Sequence, residues 1–255
     1  MAKRIEDLKV VANRRRNGEY FVLELEAGGN LPEMYPGQFI QVKVDGSPET
    51  FLRRPLSIHD VDHGRNLLKI LVQIAGKGTE KLSSLLPGEF VNVIYPLGNS
   101  FSVPPSGSRI LLTGGGCGVA PLLFLGRHLK SVDHEPEILL GFRNASRILE
   151  LEEYSSLGKV HVTTEDGSFG EKGFVTGHSR LRTPDFDKVF CCGPEPMMKA
   201  VAAYCLKNGI ECEVSLENLM GCGFGVCLCC IVDTVRGNLC TCTEGPVFNI
   251  KDLKW

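Results

Sequence analysis

The chain has 255 residues, of which 43% are hydrophobic and 23% charged, the composition of a globular protein that buries a core. Its formal net charge of −2 gives no electrostatic reason to expect binding to nucleic acid or to an anionic membrane surface. No apolar run approaches the ~20 residues that span a bilayer, and the N-terminus lacks an apolar signal segment, so we expect a cytoplasmic protein.

Residues 1–104 alternate apolar and polar side chains in short runs, at 20–26, 38–44 and 67–74, separated by Gly and Pro. A period of two with such punctuation predicts an antiparallel β-barrel. One helix is predicted over 79–86, with Thr79 as its N-cap.

A Pro- and Ser-rich stretch at 104–108 predicts a domain boundary, and residues 105–212 follow a different pattern. Short apolar runs without alternation, typical of strands buried on both faces, occur at 109–113, 137–140, 159–163 and 188–191. Helices are predicted at 121–130 and at 196–208, the second ended by Gly209. Strands that alternate with helices predict a Rossmann-like α/β domain with a parallel sheet.

A glycine-rich segment joins the first buried strand to the helix opened by Pro121. Backbone amides of such a segment can contact a pyrophosphate, and the helix N-terminus adds partial positive charge. A tight turn without a ligand is the alternative, because the segment is not the G-x-G-x-x-G fingerprint in register. The candidate nucleotide-binding residues are Gly114, Gly115, Gly116, Gly118, Ala120 and Pro121, with Cys192, Gly193 and Pro194 at the end of another buried strand.

Two arginines, Arg53 and Arg54, precede Pro55-Leu56-Ser57 in the predicted barrel. Arginines beside a strand can bind phosphate, and the glycine-rich start of the predicted helix, 76–79, can bind further phosphate oxygens. The alternative is a solvated edge strand.

Eleven cysteines are present, and four of them are candidate metal ligands. Cys222, Cys227, Cys230 and Cys242 have the C-x4-C-x2-C…C spacing by which plant-type ferredoxins bind a [2Fe–2S] cluster. Cys240 is the alternative fourth ligand, and structural zinc or disulfides are the alternative uses of these thiols. The remaining cysteines are expected to pack as small apolar residues, and the six histidines to lie on the surface or in turns.

Together these motifs resemble those of the ferredoxin–NADP reductase superfamily. Arg54-Pro55-Leu56-Ser57 is similar to its flavin motif, 114–121 to its nucleotide motif, and Cys192-Gly193-Pro194 to its late C-G-P motif. The terminal cysteine cluster, followed by Gly245-Pro246-Val247-Phe248, closely resembles that of the electron-transfer subunits of class 1B dihydroorotate dehydrogenases.

The resemblance implies three domains: an FAD-binding barrel over 1–104, an NAD-binding domain over 105–212 and a [2Fe–2S] domain over 213–255. It implies that FAD contacts Arg54, Pro55, Leu56, Ser57, Leu71, Val72, Gln73, Gly76, Gly78 and Thr79. Two departures are Gln73, where relatives tend to have a basic residue, and Cys117, where an aliphatic residue is commoner.

The function implied is electron transfer in pyrimidine biosynthesis. Electrons would pass from the FMN of a partner catalytic subunit through the cluster and FAD to NAD+, in a heterotetramer of two subunits of each kind. We find no residue in this chain that must act as a catalytic acid or base, so oxidation of dihydroorotate is expected on the partner.

Three questions stay open at this level. The same cofactor motifs suit a flavin and iron–sulfur subunit of a hydrogenase or of a ferredoxin:NADP oxidoreductase. A zinc-stabilised binding module without enzymatic activity is a third hypothesis. Arg143 and Arg147 are candidates for binding the 2′-phosphate of NADP, and NAD is preferred only because of the resemblance.

Overall fold

The computed structural model describes residues 3–255, so the first two residues of the predicted barrel domain lie outside the described part. Its strands form two seven-stranded sheets and one two-stranded hairpin. The strands are β1 Arg4–Arg15, β2 Tyr20–Glu26, β3 Phe39–Val42, β4 Arg54–Ser57, β5 Asp60–Asp62, β6 Leu67–Gln73, β7 Phe90–Leu97, β8 Ile110–Gly115, β9 Glu137–Phe142, β10 Val160–Thr164, β11 Glu171–Lys172, β12 Lys188–Cys192, β13 Glu211–Ser215, β14 Ile231–Thr234, β15 Gly237–Cys240 and β16 Val247–Asn249. The α-helices are α1 Lys77–Ser83, α2 Val119–Ser131, α3 Leu151–Ser155 and α4 Glu195–Asn208.

The first sheet is antiparallel, in the order β4-β3-β7-β1-β2-β6-β5. Its two edge strands, β4 and β5, are separated by only Ile58 and His59, so the edges must lie side by side. The amide of Ile58 donates to Gln38 O beside β3 (3.0 Å), and that of His59 to Lys69 O on β6 (2.9 Å). The sheet therefore closes into the predicted barrel, whose interior is packed with Leu, Val, Ile and Phe side chains from every long strand.

The second sheet has the order β11-β10-β9-β8-β12-β13-β16 and is parallel except for β16. Side chains of its central strand β8 alternate between two cores. Ile110 and Leu112 pack with α2 on one face, and Leu111 packs with α4 on the other. Both faces are covered, which explains the apolar runs without alternation and confirms the predicted α/β fold class.

The cysteine-rich tail is attached to the nucleotide-binding sheet at both of its ends. β13 crosses the predicted boundary between 212 and 213, and β16 returns after the hairpin β14–β15 to pair antiparallel with β13. The domain limits at 104/105 and 212/213 themselves stay predictions.

Two predictions about local structure were wrong. The helix predicted over 79–86 is α1, Lys77–Ser83, and its N-cap is Gly76. Thr79 is the third helical residue, and its Oγ1 accepts from the Gly76 amide (3.2 Å), so Thr79 caps the helix from inside. The histidines were expected on the surface or in turns, yet His59, His134 and His178 are buried.

Among the described residues, no helix combines the length and apolar character needed to cross a bilayer.

The stability of the nucleotide-binding sheet at acid pH depends on Glu137 at the start of β9. Its carboxylate accepts two hydrogen bonds from the Arg180 guanidinium (2.7 and 2.8 Å) and faces His161 Nε2 at 3.0 Å. Arg180 above all, with His161, lowers the pKa of Glu137 to about 2 despite partial burial.

Because the pKa in the folded state lies below the ordinary value of about 4.3, Glu137 stabilises the fold above that pH, and this contribution is lost as the pH falls toward 2. We expect Glu137→Gln to lower the unfolding free energy at pH 7 by about 1 kcal/mol and to flatten its decline between pH 4.5 and pH 2. Urea unfolding across this pH range measures both effects. Glu195→Gln, at an exposed ion pair on α4, is the control, and parallel curves for Glu137→Gln and wild type would contradict the prediction.

Candidate functional site

The carboxyl ends of β8, β9, β10 and β12 surround one cleft of about 580 Å³. Parallel α/β sheets bind ligands at this edge, where loops and helix N-termini expose backbone amides. The predicted residues that line the cleft are Gly115, Gly116, Gly118, Gly193 and Pro194. The other predicted nucleotide-binding residues are buried and do not line the cleft, namely Gly114, Ala120, Pro121 and Cys192.

The two predicted glycine turns pack directly against each other. A Cβ on Gly118 would lie 2.3 Å from Cys192 O, and one on Gly115 would lie 2.5 Å from the sulfur of Met197. Only glycine permits this contact, which places the start of α2 beside the turn after β12. The helix begins at Val119, two residues before the predicted start, because the 3-10 turn Gly116–Gly118 leads directly into it.

The opposite wall of the cleft is formed by the barrel, through Tyr20 and Gln73. Cys117 Sγ lies 4.0 Å from Leu71 O, so the glycine loop contacts the same strand, β6. Burial raises the pKa of Tyr20 and that of Cys117 to about 12 each. Both side chains are therefore uncharged at neutral pH, and Cys117 serves as a small packing residue.

Four charged side chains line the cleft: Arg143, Arg147, Glu165 and Glu217. The sequence analysis missed both glutamates. Glu165 directly follows β10, so the rule that ligands bind at the ends of parallel strands was enough to find it. Glu217 lies between β13 and the cysteine loop, where no sequence signal marks it.

The two arginines of the barrel motif have different surroundings. A Cβ on Gly78 would lie 3.0 Å from Arg54 Nε, so the Arg54 guanidinium lies over the first turn of α1, as predicted. Arg53 instead bonds within the barrel wall, through Nη1 to Asn92 O (3.1 Å) and to Gln41 O (3.3 Å). The structure therefore brings only Arg54 to the predicted phosphate site.

The other predicted flavin-binding residues lie on two strands. Pro55, Leu56 and Ser57 are half-buried on the edge strand β4, whereas Leu71 and Val72 are buried on β6. Gln73 follows them on β6 and lines the cleft.

The four predicted cluster ligands approach one another in two pairs. Cys222 interacts with the side chain of Cys227, and Cys242 with that of Cys230. Within residues 3–255, no three His, Cys, Asp or Glu side chains converge on one point as a metal site. Two pairs of thiols nevertheless form the donor set that two irons require, two thiolates for each.

Backbone amides point at these sulfurs. Gly225 N lies 3.2 Å from Cys242 Sγ, and the amides of Phe224 and Cys227 each lie 3.5 Å from Cys222 Sγ. Burial acts to raise the pKa of Cys222, but these amides outweigh it and lower the pKa to about 6. The loop thus favours thiolate at Cys222, and the site fits an anionic iron–sulfur cluster.

The two candidates for the fourth ligand differ in the hydrogen bonds to their sulfurs. Cys242 is buried, and its sulfur accepts a hydrogen bond from the Gly225 amide. Burial and the neighbouring Cys230 thiol raise the pKa of both cysteines, that of Cys242 to about 12, and the Glu244 carboxylate adds to the increase at Cys240. The pKa directions therefore do not separate the two candidates, and it is the hydrogen bond from the Gly225 amide to the Cys242 sulfur that favours Cys242. Cys229 is exposed and belongs to neither pair.

A flavin- and nucleotide-binding reductase of the ferredoxin-reductase type, extended by an iron–sulfur domain, is the class that this fold and site define. The solved structure of the NADH-dependent reduced ferredoxin-NADP oxidoreductase superposes with a TM-score of 0.88 at 28% identity, covering 97% of this chain and 90% of that chain. The cytochrome b5 reductase domain of Ulva prolifera nitrate reductase shares the fold, with a TM-score of 0.68 at 18% identity over 82% of this chain and 94% of that chain.

The sequence comparisons are more specific. Residues 217–254 match the family described as the iron-sulfur cluster binding domain of dihydroorotate dehydrogenase B. The dihydroorotate dehydrogenase B (NAD(+)) electron transfer subunit of Lysinibacillus sphaericus is 39% identical over 251 residues, 96% of each chain. That of Desulforamulus reducens is 36% identical over 260 aligned positions, 99% of each chain. The chain belongs to this family of electron transfer subunits, which confirms the predicted resemblance.

We expect Gly118→Ala to damage the cleft, because its Cβ would overlap the Cys192 carbonyl, a backbone group that cannot move aside. Overpacking of this kind typically costs about 1–3 kcal/mol of unfolding free energy, and separation of the two turns should also weaken nucleotide binding. Thermal unfolding and calorimetric titration with NAD+ measure the two effects. Gly177→Ala is the matched control, since no atom lies within 4 Å of its Cβ position. Equal stability of the two variants would show that the turns are not in contact.

Proposed function

We propose that this chain is the electron-transfer subunit of an NAD-dependent dihydroorotate dehydrogenase. It passes electrons from the FMN of a catalytic partner subunit, by way of a [2Fe–2S] cluster and FAD, to NAD+ in pyrimidine biosynthesis. The observation that carries this function is identity of 36–39% with such subunits over nearly the whole chain, cysteine tail included.

The barrel supplies the FAD site. Arg54 and the start of α1, at Gly76, Gly78 and Thr79, bind the pyrophosphate, while β4 and β6 hold the rest of the cofactor through Pro55–Ser57 and Leu71–Gln73. When bound, FAD exchanges single electrons with a cluster and a hydride with a nicotinamide. The contact between Cys117 and Leu71 supports this assignment, because it brings the flavin strand β6 beside the nucleotide loop.

The nucleotide-binding domain holds NAD in the cleft. The glycine loop allows the pyrophosphate to approach the backbone, and the N-terminus of α2 contributes partial positive charge. Pro194 and Gly193 form the facing turn. The barrel wall at Tyr20 and Gln73 limits the space for water around the nicotinamide.

The tail holds the cluster through Cys222, Cys227, Cys230 and Cys242. Exposed apolar side chains surround this loop, namely Leu219, Phe224, Val226 and Leu228. A cluster must lie near its electron donor, so this apolar rim is the face that meets the catalytic subunit, in the cytoplasm, in a heterotetramer of two subunits of each kind.

The chemistry on dihydroorotate belongs to the partner. In this chain the cleft carboxyls Glu165 and Glu217 lie where nucleotide binds, and we assign no catalytic acid or base. The domain limits that go with this function are 1–104 for FAD, 105–212 for NAD and 213–255 for the cluster.

Reconstitution tests the function. Anaerobically purified chain should carry one FAD with about two irons and two sulfides, as a [2Fe–2S] cluster requires. Mixed with an FMN-containing catalytic subunit, it should support NAD+ reduction by dihydroorotate, whereas the isolated chain should not oxidise dihydroorotate. Zinc without flavin would overturn the proposal, and reduction of NAD+ only with ferredoxin or hydrogen would favour the ferredoxin:NADP oxidoreductase or hydrogenase alternative.

The fourth ligand is tested by a matched pair of variants two residues apart. We expect Cys242→Ser to lose most of the iron and the visible absorption of the cluster, and Cys240→Ser to retain both, because the Gly225 amide donates a hydrogen bond to the Cys242 sulfur. Iron and sulfide analysis, with the visible spectrum, measures the difference. The opposite pattern would assign Cys240 as the ligand.

The preference for NAD over NADP is assigned to Glu165. A carboxylate in this cleft would accept hydrogen bonds from ribose hydroxyls and repel a 2′-phosphate, whereas Arg143 and Arg147 in the same cleft would attract one. We expect Glu165→Gln to raise the NADP+/NAD+ ratio of kcat/KM by about tenfold, which corresponds to about 1.4 kcal/mol. Steady-state kinetics with both nucleotides measures it, with the exposed Glu135→Gln as control. An unchanged ratio would place the ribose elsewhere.

A further inference from the structure

The side chain of Gln41 on β3 has more buried polar atoms without a hydrogen-bond partner than any other described side chain of the barrel. It is fully buried, and within the described residues neither its Nε2 nor its Oε1 has a hydrogen-bond partner. Of the side chains in the described part of the chain, only this one leaves both a nitrogen and an oxygen buried without a partner. An unpaired buried amide costs about 1–3 kcal/mol, so a partner from outside the polypeptide is required.

The side chain of Gln41 points at the cysteine loop. Residues two apart on a strand share a face, and Phe39 lies in one buried cluster with Cys230, Cys240 and Cys242. Ile94, the residue of β7 that pairs with Gln41, packs in the same cluster. The face of the barrel that carries the amide is therefore the face that covers the thiols.

Contact with the loop itself is direct. A Cβ on Gly223, the residue after Cys222, would lie 2.7 Å from Gln41 Cγ and 2.9 Å from Gln41 Nε2. Gly223 has φ +82°, a conformation that glycine adopts without strain. The loop thus passes over the amide, and Nε2 lies beside Gly223, the residue that follows the first cysteine of the proposed cluster site.

The backbone of Gln41 belongs to the flavin side of the barrel. It pairs with Pro55 of β4, and its carbonyl accepts from Arg53 Nη1 at 3.3 Å. One residue therefore borders the proposed flavin strand with its main chain and the cysteine loop with its side chain.

We propose that the Gln41 amide Nε2 donates a hydrogen bond to a sulfur of the iron–sulfur cluster, on the side held by Cys222, and so raises the reduction potential of the cluster. The inference rests on the proposed cluster site and deepens it. Donors to cluster sulfur stabilise the more electron-rich reduced state, and hydrogen bonds to the sulfurs are among the factors that set the potential. The barrel, and not the cysteine tail alone, thereby tunes the cluster that the flavin must exchange electrons with.

The test is a redox titration of the full chain, in complex with the catalytic subunit, followed by electron paramagnetic resonance. Gln41→Leu removes the donor and keeps an apolar side chain in the site. At the wild-type midpoint potential, we expect the ratio of reduced to oxidised cluster to fall about tenfold, equal to about 59 mV for one electron. Gln41→Met, which preserves the unbranched shape, should give the same shift.

Thr113→Val is the control, since Thr113 Oγ1 is also buried without a partner, but in the nucleotide-binding sheet. Its cluster potential should equal that of wild type. If Gln41→Leu or Gln41→Met retains full iron content and the wild-type potential, the amide binds a water molecule instead and the inference is wrong. A wild-type chain that assembles no cluster would overturn the proposed function, a different result.

A second measurement does not depend on how the variants fold. Wild-type protein labelled with ¹⁵N at the glutamine side-chain amides should show ¹⁵N hyperfine coupling to the reduced cluster. The chain has three glutamines, and the amide of Gln38 already bonds to Gly98 O (3.3 Å) and Tyr35 N (2.8 Å). Gln73 lies at the nucleotide cleft. Absence of the coupling would overturn the inference.

Discussion

The relative position of the barrel and the nucleotide-binding domain depends on two adjacent residues, His59 and Asp60. His59 Nδ1 lies 2.8 Å from Ala120 O in the first turn of α2, so this nitrogen carries the proton. Asp60 Oδ2 accepts from Lys69 Nζ on the barrel and from Arg127 Nη1 on α2, both at 2.9 Å. Two bonds to the same helix, about two turns apart, fix both its position and its direction.

The other nitrogen of His59 faces Glu150 Oε2 at 3.5 Å, and Arg16 lies 2.5 Å from the second carboxylate oxygen. Burial acts to raise the pKa of Glu150, but His59 and Arg16 outweigh it and lower the pKa, so the buried carboxylate is charged and paired. A buried charge is stable only when it is paired. Since His59 follows the flavin motif by two residues and α2 follows the glycine loop, this network aligns the two nucleotide sites with each other.

The cysteine loop is held by a comparable set of bonds. Asn99, just after β7, donates through Nδ2 to Glu244 O (2.7 Å) and Val247 O (2.8 Å) and accepts from the Val247 amide (3.0 Å). β16 then joins the nucleotide-binding sheet. Electron transfer between cofactors requires short and constant distances, and a tail bonded to both other domains provides them. The same attachment brings the loop over Gln41.

The sequence by itself determined the parts of this protein that depend on local pattern. Alternation over 20–26 predicted β2, the unbroken apolar runs predicted the parallel strands, and Gly209 was correctly placed as the residue that ends α4. The spacing of the four cysteines and the glycine turns likewise came from residues near one another in the chain. Helix α1 was misplaced because Thr79 caps from its third position, a choice that the residue type does not reveal. Only the tertiary structure decided that Arg54 and not Arg53 reaches the helix start, that Glu217 lines the cleft, that His59 is buried and that Gln41 faces Gly223. Each of these depends on contacts between residues far apart in the sequence, and periodicity carries no information about which distant surfaces meet.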